Sequence, residues 1–351
     1  MAIDKIYTGA TSPVEDGLRT HGGPGTYEWW YMDSEFDDGT KTSIVYLTKQ
    51  FAEVADPSHP TVWFDLAIPG QEPVRYWVFE NPGTPIQADL DGCNVKINNC
   101  TFKRQENGAY VAHFETDDHN VVFDFTLSPT APMWRPGDGY FRFDQNPEEY
   151  FAWFVAVPNG IAEGKLTIDG KTCSFKGTGY HDHNWGNAAP MAVMDHWYWC
   201  RASVGGYTVI DCDIIGSKRN DYQRRTVFMV HKEGEGILSD DSYVTITRDG
   251  TYHHEVLGKF MDNHLGFKQT VGDTQWNVEY FREKDIVCKQ TLSGPAREAA
   301  VARGLDPTYV RCIGKVKLTK ATPDGEETYE NDALWEQMGF GAIQDAIIKE
   351  F

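Results

Sequence analysis

Three short stretches of this chain concentrate residues that could do chemistry. In Gly177–Gly186, GTGYHDHNWG, a strand turns His181, His183 and Trp185 to one face and Tyr180, Asp182 and Asn184 to the other. Histidines so placed can donate a proton or polarise a carbonyl. A His-x-His pair on a strand also suits two metal ligands, or a structural pair whose hydrogen bonds fix a domain junction. A metal needs a third ligand, and neither Asp195, His196 nor Asp211 is marked out for it by spacing. Activity is therefore expected to need no metal.

In Tyr27–Asp33, YEWWYMD, Glu28 shares a strand face with Trp30 and Met32, while Trp29, Tyr31 and Asp33 take the other. One reading is a core strand with an aromatic inner face. The other sets Glu28 beside Trp30 in an apolar cavity, where desolvation raises its pKa and makes it an acid. The third stretch, Asp195–Arg201 (DHWYWCR), supplies Trp197, Tyr198 and Trp199 and is followed by Tyr207–Ile215. There Asp211 and Asp213 share a face with Tyr207 and Val209. That face is either a solvated sheet edge or a lumen in which each carboxylate must be paired.

The elements that position these residues read as strands. Val121, Phe123, Phe125 and Leu127 recur with period two, as do Tyr110, Ala112 and Phe114, and similar runs fill Ser43–Thr48, Val62–Ile68, Thr226–Val230 and Arg311–Leu318. Turn signals separate them, among them Asp38-Gly39, Asn107-Gly108 and Asp324-Gly325. Many short strands with glycine turns predict an all-β barrel or sandwich. Helical spacing is confined to Pro295–Arg303 and to Asn331–Phe351, where Leu334, Trp335, Met338, Ile343 and Ile347 predict one or two short closing helices. A length of 351 residues predicts two domains. The strand pattern breaks at Gly186–Met191, giving domains 1–188 and 189–351 with a ligand pocket expected where they meet.

Composition narrows the partners. Acidic residues outnumber basic ones 52 to 32, and the net charge of −20 repels phosphate backbones and anionic lipid, so no nucleic-acid partner is expected. No apolar run approaches the ~20 residues of a membrane span, so no stable membrane insertion is expected. The first residues lack a basic stretch followed by an apolar one. Seven scattered cysteines without a CxxC suit reduced thiols, and a cytoplasmic location is expected. Aromatic residues reach 13%, with 11 Trp, 17 Tyr and 19 Phe, and together with 33 Gly and 17 Pro they favour strands and turns over helix bundles. Walker, dinucleotide GxGxxG, GxSxG and HExxH motifs are missing, so chemistry on a nucleotide, flavin or nicotinamide is not expected. Oligomeric state is left open.

EWWYMD at Glu28–Asp33, GTGYHDHNWG at Gly177–Gly186 and DHWYWCR at Asp195–Arg201 resemble the signature stretches of the carotenoid-hydratase-like, lipocalin-like superfamily. It includes carotenoid 1,2-hydratases, kievitone hydratase and fungal decalin-forming Diels–Alderases. The resemblance implies two lipocalin-like β-domains, a hydrophobic pocket at or near their junction, and no organic cofactor. Its hydratases are similar to this chain at the His-x-Trp of His183 and Trp185. They also carry a Tyr-x-Asp on a following strand. The nearest matches here, Val209-Ile210-Asp211 and Asp211-Cys212-Asp213, keep the aspartate and lack the tyrosine.

The leading expectation is accordingly a cofactor-independent cyclase of the Diels–Alderase type, folding a polyene, polyketide or terpenoid precursor into a near-attack conformer. Trp30, Tyr31, Trp185, Trp197 and Trp199 are the expected pocket walls. His181, His183 and Tyr198 are the expected donors, with Glu28 and Asp211 as further acids. A hydratase would instead use Asp211 to protonate an isoprenoid alkene, with His183 orienting it and Trp185 facing the cation. A non-enzymatic carrier of a hydrophobic ligand is the third possibility that such barrels offer.

Overall fold

The alternating runs form strands because one face of each can be buried while backbone groups pair sideways. The computed structural model describes residues 6–51 and 53–342. It divides into two compact units, one of residues 1–142 and 148–189, the other of residues 143–147 and 190–351.

Unit 1 begins with a single 3-10 turn at Pro13–Asp16. Its strands are β1 (Tyr27–Phe36), β2 (Lys41–Leu47), β3 (Thr61–Ala67), β4 (Val74–Phe79), β5 (Gln87–Ala88), β6 (Asn94–Ile97), β7 (Cys100–Arg104), β8 (Tyr110–Glu115), β9 (Val121–Pro129), β10 (Tyr140–Phe143), β11 (Asn146–Ile168) and β12 (Lys171–Gly186). They make one sheet in the order β4-β3-β2-β1-β12-β11-β9-β8-β7-β6-β5, with β10 against β11. The sheet curls until Phe64 of β3 stacks 4.9 Å from Phe123 of β9 and lies 5.2 Å from Phe114 of β8. Trp30, Met32, Phe102, Phe154 and Trp185 fill the inside of the curl. β1 and β12 approach so closely that a Cβ at Gly177 would stand 2.1 Å from the Glu35 carbonyl oxygen, so only glycine fits there.

Unit 2 continues through α1 (Pro190–Val193), β13 (Met194–Val204), β14 (Tyr207–Gly216), β15 (Arg224–Lys232), β16 (Gly236–Ile237), β17 (Thr245–Asp249), β18 (Tyr252–His254), β19 (Lys259–Met261), β20 (His264–Val271), β21 (Thr274–Gln290), α2 (Gly294–Val301), β22 (Leu305–Thr322) and β23 (Gly325–Gly341). Its sheet runs β16-β15-β14-β13-β23-β22-β21-β20-β17, and β18 pairs with β19 as a separate hairpin. Tyr198, Tyr207, Phe228, Trp276, Tyr280 and Trp335 pack inside it.

The chain is nearly all β, with curled, half-barrel sheets. α2 supplies the short helix expected near Pro295. The closing helix expected from Asn331 is corrected: residues up to Gly341 form β23, hydrogen-bonded between β13 and β22. A strand buried on both faces loses its period-two alternation, so consecutive Leu334 and Trp335 followed by Met338 imitate helical spacing. Ile343 and Ile347 lie outside the described residues. Among those described, no helix is long and apolar enough to cross a membrane.

Candidate active site

Strand β12 carries different chemistry on its two faces. Inside unit 1, His183 lies opposite Trp30 of β1, and Trp185 opposite Glu28. The His183 ring stacks on Trp30 at 4.5 Å and lies 5.0 Å from Trp185. Its Nε2 is 2.8 Å from Glu28 Oε1. Glu28 also accepts from the Arg19 and Thr20 amides and from the Thr20 hydroxyl, so four donors converge on this fully buried carboxylate. Glu28 thus acts as an acceptor that pins the segment before β1. His181 Nδ1 lies 2.8 Å from the Tyr31 carbonyl oxygen, and its Nε2 lies 3.1 Å from Asp16 Oδ2. Burial lowers the His181 pKa, but Asp16 and the two hydrogen bonds outweigh it and raise the pKa overall.

The outer face of the same strands is aromatic. Tyr27 stacks on Trp29 at 5.4 Å, Trp29 meets Phe151 at 6.0 Å, Phe141 bridges Phe151 and Trp153, and Tyr31 faces Tyr180 at 6.3 Å. Asp182 sits in this wall, opposite Tyr31 and only 7% exposed. Its Oδ2 accepts from the Trp153 indole and the Tyr180 hydroxyl, both at 2.8 Å, and its Oδ1 from the Asn184 amide at 2.7 Å. Burial pushes the carboxyl up to about 7 against the pull of these donors. Nearby, the Tyr31 hydroxyl donates to Asp33 at 2.8 Å. A poised acid within aromatic rings can hydrogen-bond to or protonate a substrate oxygen, while the ring faces attract positive charge.

In unit 2 the face of β14 bearing Tyr207, Val209, Asp211 and Asp213 is the interior one, settling which side of that strand is the lumen. Asp213 is paired with Arg248 at 2.6 Å and Arg224 at 3.0 Å. Asp211 is fully buried and receives the Tyr280 hydroxyl at 2.6 Å, while its Oδ1 has no hydrogen-bond partner among the described residues. Burial drives its pKa well above the ordinary carboxylate range, against the pull of Tyr280. Tyr198 is engaged inside unit 2: its hydroxyl donates to Asp262 Oδ2 at 3.0 Å and accepts from the Gln337 amide at 3.1 Å. Trp197 and Trp199 lie on the opposite face of β13. The Trp197 ring meets Phe340 at 5.4 Å, and the Arg201 guanidinium stands 6.0 Å from the Trp199 ring.

The expected residues therefore fall into four groups. Glu28, Trp30, His181, His183 and Trp185 share the interior of unit 1, and Tyr31 belongs to the outer wall of its sheet. Tyr198 and Asp211 share the interior of unit 2, with Trp197 and Trp199 on the other face of its sheet. Sequence reasoning placed Asp182 on a face with Tyr180 and Asn184 without giving it a role; its signal was the Tyr-x-Asp-x-Asn alternation. Asp16 and Tyr280 carried no signal, since each meets its partner only through long-range pairing.

Residues 114–275 match the Diels-Alderase-like family. The quinolone epoxide rearrangement protein penF of Penicillium thymicola is 38% identical over 222 residues, covering 58% of this chain and 60% of that protein. The chain thus spans less than two thirds of that curated relative. The crystal structure of CghA with Sch210972 superposes with a TM-score of 0.59 over 90% of this chain and 89% of that one, at 14% identity. Kievitone hydratase from Nectria haematococca gives a TM-score of 0.54 over 91% of each chain, at 16% identity. These two show the fold. Residues 114–275 are thus similar to Diels-Alderase-like proteins, and the chain shares the β fold of CghA and of kievitone hydratase.

Proposed function

We propose that this protein is a cofactor-free cyclase or isomerase of the pericyclase type. Its substrate is a hydrophobic polyene, polyketide or terpenoid natural-product precursor that carries an oxygen function. The observation that carries this reading is Asp182: a carboxyl poised at about 7 and set in a wall of Trp29, Tyr31, Trp153 and Tyr180. The aromatic wall holds a flexible chain in its reactive conformer, removing an entropic part of the barrier. Protonated Asp182 donates to a carbonyl or epoxide oxygen, drawing electron density from the reacting carbons. Cyclisation and rearrangement move no electrons on or off the substrate, so no redox cofactor is needed. The penF likeness supports an acid-assisted isomerisation, since its name describes an epoxide rearrangement.

Hydration is the second reading, and one contact favours it. The tyrosine missing from the Tyr-x-Asp position of β14 has a stand-in, because Tyr280 of β21 brings its phenol to Asp211. Such an acid could protonate an isoprenoid alkene.

The test is incubation of the purified chain with linear polyenoyl and epoxide-bearing quinolone precursors, followed by product mass analysis. A product of unchanged mass that disappears with Asp182→Asn supports the proposal. A product that has gained one water and disappears with Asp211→Asn establishes the hydratase.

A further inference from the structure

The interior of unit 1 gathers four side chains of metal-ligating type: Asp16, Cys93, His181 and His183. His181 Nδ1 faces the Tyr31 carbonyl, so an N–H belongs there, and Nε2 lies 3.1 Å from Asp16, where it ligates once any proton shared with that carboxylate has left. His183 Nε2 faces Glu28, so its N–H belongs there, and the Nδ1 lone pair points at Asp16 Oδ1 at 3.6 Å. His183 Nδ1 and Asp16 Oδ1 are both buried with no hydrogen-bond partner among the described residues. The buried Tyr110 phenol faces the same carboxylate, and no described residue donates to His183 Nδ1. Cys93, also buried, completes the cluster: its sulfur, an Asp16 oxygen and a His181 nitrogen lie within 4.8 Å of one another.

We propose that Asp16, Cys93 and His181, with His183 as the fourth donor, bind one divalent cation of the zinc class. Mixed sulfur, nitrogen and oxygen donors in a set of four match the tetrahedral preference of zinc. The outer shell is already in place, because each histidine gives its remaining N–H to a carbonyl or a carboxylate, which fixes the tautomer that ligates. On binding, the Cys93 thiol proton and any proton that His181 Nε2 shares with Asp16 pass to solvent. The thiolate and the Asp16 carboxylate then neutralise the ion. Zinc bond lengths require donor–donor edges of about 3.3–3.8 Å, so the edges among Asp16, Cys93 and His181, now within 4.8 Å, contract by up to about 1 Å, and His183 Nδ1, 3.6 Å from Asp16 Oδ1, swings toward Cys93 and His181 to complete the set. The ion ties the Pro13–Asp16 turn and the segment before β6 to β12, a structural role that leaves the outer face and Asp182 to the substrate. The histidines have no third ligand nearby in sequence; the fold delivers Asp16 and Cys93 from far along the chain.

The experiment uses the full chain, stripped with chelator and reloaded with zinc or cobalt(II). The expected result is one tightly held equivalent, a higher melting temperature, and a thiolate-to-cobalt charge-transfer band. Cys93→Ser should lose that band, and Cys173→Ser, which removes an exposed thiol, should keep it. X-ray absorption of the zinc-loaded wild type, which needs no variant, should show one sulfur among nitrogen and oxygen neighbours. Less than about a tenth of an equivalent retained with no shift in melting temperature, or a zinc shell without sulfur, overturns the proposal. So does a band lost with Cys173→Ser and kept with Cys93→Ser.

Discussion

The Tyr280 hydroxyl donates to Asp211 Oδ2 across 2.6 Å, joining residues 69 positions apart in the interior of unit 2. It is the one hydrogen bond pulling the Asp211 pKa down against burial. Tyr280→Phe should therefore push that pKa higher still and destabilise the fold by roughly 1–2 kcal/mol. Combined with Asp211→Asn, the two losses should be non-additive by about 0.5 kcal/mol or more. Urea unfolding of the four proteins measures this. For a cyclase, Asp211→Asn should cost little in rate once stability is allowed for.

If Asp182 is the acid of the proposed reaction, the activity should depend on pH. An acid must be protonated to act, so kcat/KM should be high below about pH 7 and fall as pH rises through it. Trp153→Phe keeps an aromatic ring but removes a donor to the carboxylate. Losing that donor raises the pKa, so the falling limb should move to higher pH. A limb that stays in place, or moves lower, contradicts the assignment.

Stability should follow the same group. The Asp182 carboxyl goes from an ordinary 3.8 to about 7 on folding, so the folded protein holds a proton that the unfolded chain releases. Its contribution is fully present below about pH 4 and is lost as pH rises toward 7, up to about 4 kcal/mol in all. Asp182→Asn removes this dependence. Wild type should thus lose stability relative to the variant between pH 5 and pH 8, as read by denaturant midpoints.

Gly177→Ala tests the close approach of β1 and β12. A methyl group there meets the Glu35 carbonyl, and separating the strands would disturb the pairing that carries His181, Asp182 and His183. The expected cost is about 1–3 kcal/mol or more, measured as a lower melting temperature.

Much of this architecture was legible in the sequence because strand alternation is local. Glu28, Trp30 and Met32 do share the inner face of β1, and His181, His183 and Trp185 that of β12. Legibility failed where both faces of a strand are buried, as in β23, or where a partner comes from a distant segment. Asp16 to His181 spans 165 positions and Glu28 to His183 spans 155, separations that no spacing rule reaches. Likewise, whether Asp211 faced solvent or a lumen depended on which side the sheet curled, a property of the assembled sheet rather than of one strand.

The most direct measurement is a single-turnover assay of wild type, Asp182→Asn, Trp29→Ala and Asp211→Asn on one accepted precursor, with product mass followed over time. The predicted result is an isomeric product of unchanged mass, with Asp182→Asn slowed by on the order of a hundredfold to ten-thousandfold. Trp29→Ala should slow by about a hundredfold through lost positioning, and Asp211→Asn should stay close to wild type. A product heavier by one water, with Asp211→Asn inactive and Asp182→Asn unimpaired, would contradict the account.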